Sequence, residues 1–136
     1  MGLVYTDITL RNALDVGNVS EGYIKESDVR QATLTAMVDT GAWTLAINEA
    51  VRQQLGLRII GKEPGRLADG SRGEYDMAGP VEILWKNRRA TCDALVLPYA
   101  DDILLGAIPL EIMDLIVHPH KQELIGAHGD TPMHKV

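Results

Sequence analysis

A mainly β, single-domain fold with two short helices is predicted by three features of this chain. Runs of β-branched and aliphatic residues of strand length alternate with turn-forming Gly, Asn and Asp. Only two stretches space their apolar residues three and four apart, as a helix face requires. With 136 residues, 46% of them hydrophobic, the chain is sized for one core that needs neither metal nor disulfide.

The elements follow in order. "LVYTDITL", Leu3 to Leu10, is rich in β-branched residues and partly alternates, which reads as a strand. Gly17, Asn18 and the charged "EGYIKESD" read as turn. "QATLTAMV", Gln31 to Val38, is a second strand, and it runs into Asp39. After Thr40-Gly41 a short extended piece leads to Asn48, a helix N-cap. "EAVRQQLGL" then forms a helix with Glu49 in its first turn and Gly56 at its C-terminal stop.

From Pro64 the pattern is strand and turn. "RLADGSRGEYDMAG" carries Asp69-Gly70 between two extended pieces, a hairpin signal, and its polar, glycine-rich make-up predicts that it projects. "VEILW" and "ATCDALVL" flank "KNRR" as a second, buried hairpin. "DILLG" is a short buried strand, and "AIPLEIMDL" a helix with Pro109 suited to its first turn. "IVHPHKQELI" reads as strand, turn, strand. The domain is expected to span residues 1–126, with residues 127–136 as a polar, flexible tail. "TAMVDTG" and "DDILLG" look like two related half-motifs, each a buried strand ending in glycine before a helix, but only the first has a carboxylate next to its glycine.

Charge and composition exclude several functions. A net charge of −6 and no basic cluster longer than "KNRR" argue against a nucleic-acid partner. No apolar run reaches the ~18 residues of a membrane span, and the N-terminus lacks a signal-peptide pattern, so no membrane partner and a cytoplasmic location are expected. Cys92 is the one cysteine and sits in an apolar run, which favours a packed thiol in a reducing compartment. "GLRIIGKE" imitates a phosphate-binding loop, but Glu63 stands where Ser or Thr must bind magnesium, and the stretch follows a helix instead of opening one. "MGLVYT" loosely fits a myristoylation signal, yet reads as the first strand. His118, His120, His128 and His134 read as turn and surface residues, so no metal and no cofactor are expected. Trp85, ending an apolar strand, reads as core or interface.

Asp39 is the residue that asks for chemistry. A carboxylate ending a buried strand is costly to ionise without partners. It either caps the turn at Gly41 or takes part in a reaction.

The order Val38-Asp39-Thr40-Gly41-Ala42, a helix, an Asp-Gly hairpin, then Leu104-Leu105-Gly106 and a second helix resembles the retropepsin-like aspartic proteases, and in particular their single-domain bacterial members. The likeness runs from about Leu3 to Ile125. It implies an acid-protease half-barrel that dimerises through its terminal strands, the first strand and "ELI" (Glu123 to Ile125). It also implies peptide hydrolysis, which without a metal or covalent intermediate needs one group to take a proton from water and another to give one to the carbonyl. Two close carboxylates sharing a proton do both. With a single Asp-Thr-Gly per chain, the second carboxylate must come from a second copy, so a homodimer is implied, with Asp39 catalytic and a peptide or protein as substrate.

The resemblance gives the neighbours roles. Thr40 would bond across the dimer axis, and Gly41 would let the backbone approach carboxylate and substrate. Ala42 stands where pepsin-like enzymes have a hydroxyl, and the missing hydrogen bond to the charged form implies activity at weakly acidic to neutral pH. The hairpin from about Arg66 to Tyr75 would be the flap, with Leu67, Ala68, Asp69, Gly70 and Ser71 over the groove and Asp69-Gly70-Ser71 at its tip. Leu105 and Gly106 would support the catalytic loop. Retroviral enzymes usually carry acidic or polar residues after the alanine; Trp43 and Thr44 stand there in this chain and would line the groove. The alternative reading is a dimeric module that captures peptides in the same groove without cutting them.

Overall fold

A computed structural model of the chain describes residues 2–66, 69–98 and 102–136. Its architecture is mainly β. In chain order the strands are β1 (Val4–Asn12), β2 (Gln31–Val38), β3 (Leu45–Asn48), β4 (Ile59–Arg66), β5 (Arg72–Trp85), β6 (Arg88–Leu97), β7 (Ile103–Leu105), β8 (Leu115–Val117) and β9 (Leu124–Gly126). Among the described residues three α-helices interrupt them, α1 (Ala13–Ser20), α2 (Glu49–Leu55) and α3 (Ala107–Ile112), and Glu26–Asp28 form one turn of 3-10 helix.

The main sheet runs β1-β2-β7-β3-β6-β5-β4, and β1 also pairs with β5. Six strands therefore close into a barrel, which leaves β4 as an outer strand on β5. Closure fills the barrel with aliphatic side chains, since the chain has no phenylalanine. Ile8, Leu10, Leu45, Ile47, Val81, Ile83 and Leu105 are buried to 2% exposure or less. Trp85 joins this core and donates its indole N–H to Thr6 Oγ1 at 2.8 Å.

The two half-motifs lie side by side. β2 and β7 are parallel, with Met37 opposite Leu104 and Val38 opposite Leu105. This places Asp39 and Gly106, the residues after the two strands, next to each other at one end of the barrel.

Local sequence explains most element ends. Asn48 caps α2 by accepting the Val51 N–H at 2.9 Å, and Gly56 closes it with φ +62°. A side chain at Gly56 would run into the Arg30 guanidinium as well as strain the backbone. The β5–β6 turn is Lys86-Asn87, so the second hairpin is tighter than "KNRR" suggested, and Arg88 is buried in β6.

Two elements differ from expectation. The stretch after β1 is a helix, α1, where a turn was expected: Asn12 accepts the Asp15 N–H at 3.1 Å and donates to Leu55 O at 3.0 Å, which nucleates the helix despite Gly17 and Asn18. The outer strand β4 begins at Ile59, so most of the P-loop imitation is strand. β1 lies where the first strand was expected, and it pairs with β2 from Val4–Val38 to Arg11–Gln31 and with β5 from Thr9 to Asn12.

The end of the chain is tied to the barrel. β8 and β9 pair in a separate two-stranded sheet. Buried Arg88 donates to Met113 O and Asp114 O, both at 2.8 Å, and to Gly129 O. Asp114 accepts from His128 Nδ1 at 2.9 Å and from the Met133 N–H at 3.1 Å. Residues 127–133, expected to be a loose tail, thus make hydrogen bonds to the domain.

Two carboxylates link this packing to pH. Asp15 is held below the usual carboxylate range chiefly by its hydrogen bonds from Arg30, and Asp114 chiefly by its bond with His128, against the opposing effect of burial. A carboxyl depressed in the fold adds stability above its unfolded value of about 4, and that stability is lost as pH falls through the folded value. Urea midpoints followed by tryptophan fluorescence should be level above about pH 5 and fall below about pH 4. Asp15→Asn should lower the neutral-pH midpoint and flatten the acid-side decline; an unchanged acid decline would remove Asp15 from the account.

Candidate functional site

The Asp39 loop is held from both sides. The Asp39 N–H donates to Leu105 O at 3.0 Å, which ties the end of β2 to the end of β7. Beyond the turn, the Ala107 N–H donates to Ala42 O at 2.8 Å and the Ile108 N–H to Trp43 O at 3.1 Å. The loop's carbonyls therefore satisfy the first N–H groups of α3, which a helix start leaves unpaired. Gly106 makes this possible: a Cβ there would lie 2.7 Å from Ala42 O and 2.9 Å from Thr44 N. Leu105 and Gly106 sit behind the loop, Leu105 fully buried.

Asp39 itself is half-buried. Its Oδ1 accepts the Gly41 N–H at 3.0 Å, and Ala42 N–H closes the turn on Asp39 O at 3.0 Å. A Cβ at Gly41 would come within 3.3 Å of Oδ1, so glycine keeps the carboxylate uncrowded. Among the described residues no cation pairs with Asp39, and Oδ2 has no hydrogen-bond partner. One oxygen is oriented and the other is left without a protein partner among the described residues.

The carboxylate opens into a groove of about 710 Å³. Gly41, Ala42, Trp43 and Thr44 form its near wall. Thr44 is buried and donates its hydroxyl to Asp93 O at 3.1 Å, whereas Trp43 is 50% exposed. Thr40 points elsewhere, toward a shallow apolar depression with Ala107, Leu110, Leu115, Ile116 and Val117.

The far wall joins Arg66 and Tyr75, the expected bounds of the flap hairpin, to residues that sequence reasoning did not single out, among them Pro64, Gly65, Leu95 and Leu97. Pro64, Gly65, Arg66 and Tyr75 belong to the β4–β5 hairpin stem, and Leu95, Leu97 and Leu104 complete the floor. Tyr75 lies across the stem, where a Cβ on Gly65 would meet its ring at 2.8 Å. The Gly65–Gly73 cross-strand pair beside a tyrosine was the available signal, since two facing glycines make room for one ring. Of the residues expected over the groove, Leu67 and Ala68 lie outside the described residues. Asp69, Gly70 and Ser71 form the hairpin tip and do not border the groove: Asp69 Oδ1 accepts the Ser71 N–H at 2.8 Å, and Gly70 has φ +87°. Hydrogen bonds from Ser71 hold the Asp69 carboxyl below its usual range.

The remaining polar candidates have structural partners. Burial pushes the Cys92 thiol up, away from a reactive thiolate. His118 Nδ1 accepts the His120 and Lys121 N–H groups at 3.2 and 3.0 Å, as a turn residue does. Among the described residues, no three His, Cys, Asp or Glu side chains gather as a metal site.

Comparison with known proteins places these features in context. A family model described as aspartyl protease matches residues 25–108, which hold the Asp39 loop, the hairpin and the start of α3. Among solved structures, a retropepsin-like aspartic protease from Rickettsia conorii aligns at 17% identity and a TM-score of 0.40, over 79% of each chain. A protein of unknown function (DUF785) from Legionella pneumophila aligns at 14% identity and a TM-score of 0.40, over 82% of this chain and 89% of that one. No curated protein matches the chain.

Proposed function

The chain belongs to the aspartyl protease family, and we propose that it is a homodimeric aspartic endopeptidase that hydrolyses peptide bonds between Asp39 and the Asp39 of a second copy. The observation that carries this reading is the Asp39 carboxylate, with Oδ1 held by Gly41 and Oδ2 unpartnered, at the floor of an open groove.

The chemistry needs one proton shared by two carboxylates. The ionised Asp39 takes a proton from water as the water oxygen bonds to the peptide carbonyl carbon. The protonated Asp39 gives its proton to the carbonyl oxygen, so a gem-diol forms and the two carboxyls exchange roles. In the second step the newly protonated carboxyl delivers its proton to the amide nitrogen while the C–N bond breaks. The other takes back a hydroxyl proton, which restores the starting state. Hydrolysis is complete with no cofactor.

A two-fold axis beside Asp39 would also bring Thr40 and the neighbouring apolar depression against the second copy. The β4–β5 hairpin would act as the flap, its backbone pairing with an extended substrate. A substrate peptide, no nucleic-acid partner and a cytoplasmic setting complete the reading; among the described residues no helix is long and apolar enough to cross a membrane.

Incubation with a peptide mixture from weakly acidic to neutral pH, with and without pepstatin, tests this directly. Cleavage should be pepstatin-sensitive, and at low concentration its rate should rise with about the square of protein concentration, as dimer assembly demands. Sedimentation should show dimer over the same range. A rate linear in concentration for a monomeric protein would overturn the shared site, and peptide binding without products would favour the capture module.

A further inference from the structure

Trp43 stands between two cavities. One is the groove that holds Asp39; the other is a side pocket of about 350 Å³, and Trp43 and Thr44 line both. Ile60, Met77 and Ile108 give the side pocket apolar walls, and Glu63 and Asp93 add two carboxylates. Among the described residues neither carboxylate has an ion-pair partner, although nearby Lys62 is engaged by Asp76 at 2.8 Å.

The wall is fixed in place. Trp43 O is held by the first turn of α3, at 3.1 Å from the Ile108 N–H. The Thr44 hydroxyl anchors the backbone of Asp93, and the Asp93 side chain packs over Gly79, where a Cβ would sit 3.2 Å from Asp93 Cα. A half-exposed indole, apolar walls and two acidic residues without ion-pair partners thus border one opening that adjoins the groove through Trp43 and Thr44.

We propose that Trp43 is the specificity-determining residue of this site and that the side pocket it borders receives a lysine or arginine side chain of the substrate. The alkyl stem of such a side chain would lie against the indole and the apolar walls, and its cation would reach Asp93 and Glu63. The indole gives the alkyl stem a flat apolar face, and a long basic side chain is the substrate group that satisfies both parts of the pocket. The inference rests on the peptide-hydrolase reading for the backbone that enters the groove, and adds the substrate class.

Binding to Asp39→Asn protein separates the two ideas, because it needs no turnover. Fluorescent octapeptides that differ at one position, scanned along the peptide with Lys, Arg, norleucine or Glu, are followed by anisotropy. At one position Lys and Arg should bind about five- to tenfold more tightly than norleucine, with Glu weakest. Glu63→Gln/Asp93→Asn should bring Lys and Arg down to the norleucine level and leave the norleucine peptide unchanged. Trp43→Ala should weaken all three long side chains at that position, with Trp43→Phe intermediate. Circular dichroism checks that each variant is folded. No cationic preference at any position, a preference that survives loss of both carboxylates, or no peptide binding at all would overturn the subsite. Wild-type protein that shows the preference but cuts nothing would retain the subsite and remove the hydrolase; cutting without preference would do the reverse.

Discussion

Asp39→Asn should abolish peptide hydrolysis and leave the folded dimer intact. The asparagine side chain keeps an oxygen to accept the Gly41 N–H, now 3.0 Å from Asp39 Oδ1, so the loop loses no hydrogen bond. Asparagine can neither take a proton from water nor give one to a carbonyl. In a symmetric dimer one substitution removes both groups, each a general acid or base of the kind worth about 10²–10⁴-fold. The rate should fall by about 10⁴-fold or more. The dimer should be at least as strong as before, since two carboxylates held close repel when both ionise and two amides do not. Peptide digestion and sedimentation on the same preparation check both halves. Activity within tenfold of wild type would mean that Asp39 is only a turn residue, which its bond to Gly41 would then fully explain.

The prominence of Asp39 was legible because its signals are local. Strand β2 falls on Gln31–Val38 as its apolar run indicated, and Asn48 and Gly56 bound α2 as a cap and a left-handed stop. These features depend on residues within a turn of one another. What stayed hidden depends on residues far apart in sequence. The groove joins Pro64 and Tyr75 to Leu95 and Leu104, which only barrel closure brings together. Buried Arg88 read as part of the "KNRR" turn, but its targets, Met113, Asp114 and Gly129, lie 25 to 41 residues away. α1 is a mixed case: the Asn12–Asp15 cap was in the sequence, but Gly17 and Asn18 outweighed it until Asn12 found Leu55 O. The first strand was legible as a strand from its β-branched residues. Its register against β2 and β5 was not readable, because a strand does not announce its neighbour.

Gly106→Ala should impair catalysis without touching a reacting atom. Gly106 lies between the β7 end that holds the Asp39 N–H and the α3 start that holds Ala42 O and Trp43 O. Its Cβ would meet Ala42 O at 2.7 Å and Thr44 N at 2.9 Å, and both are backbone atoms that no rotamer change can move aside. Either α3 backs away and the Ala107 and Ile108 hydrogen bonds stretch, or the Asp39 loop shifts into the groove. Overpacking of this kind costs about 1–3 kcal/mol, and a displacement near 1 Å at a reacting group costs about 10²-fold in rate. A urea melt should show the lost stability, and turnover measured well below the melting temperature should still be down by about two orders of magnitude. Gly17→Ala is the control: no atom lies within 4 Å of its added Cβ, and alanine in α1 should raise stability by up to about 1 kcal/mol with turnover unchanged. Equal turnover in the two variants would show that the loop holds its carboxylate without the close approach at Gly106, and the bracing from α3 would then be packing alone.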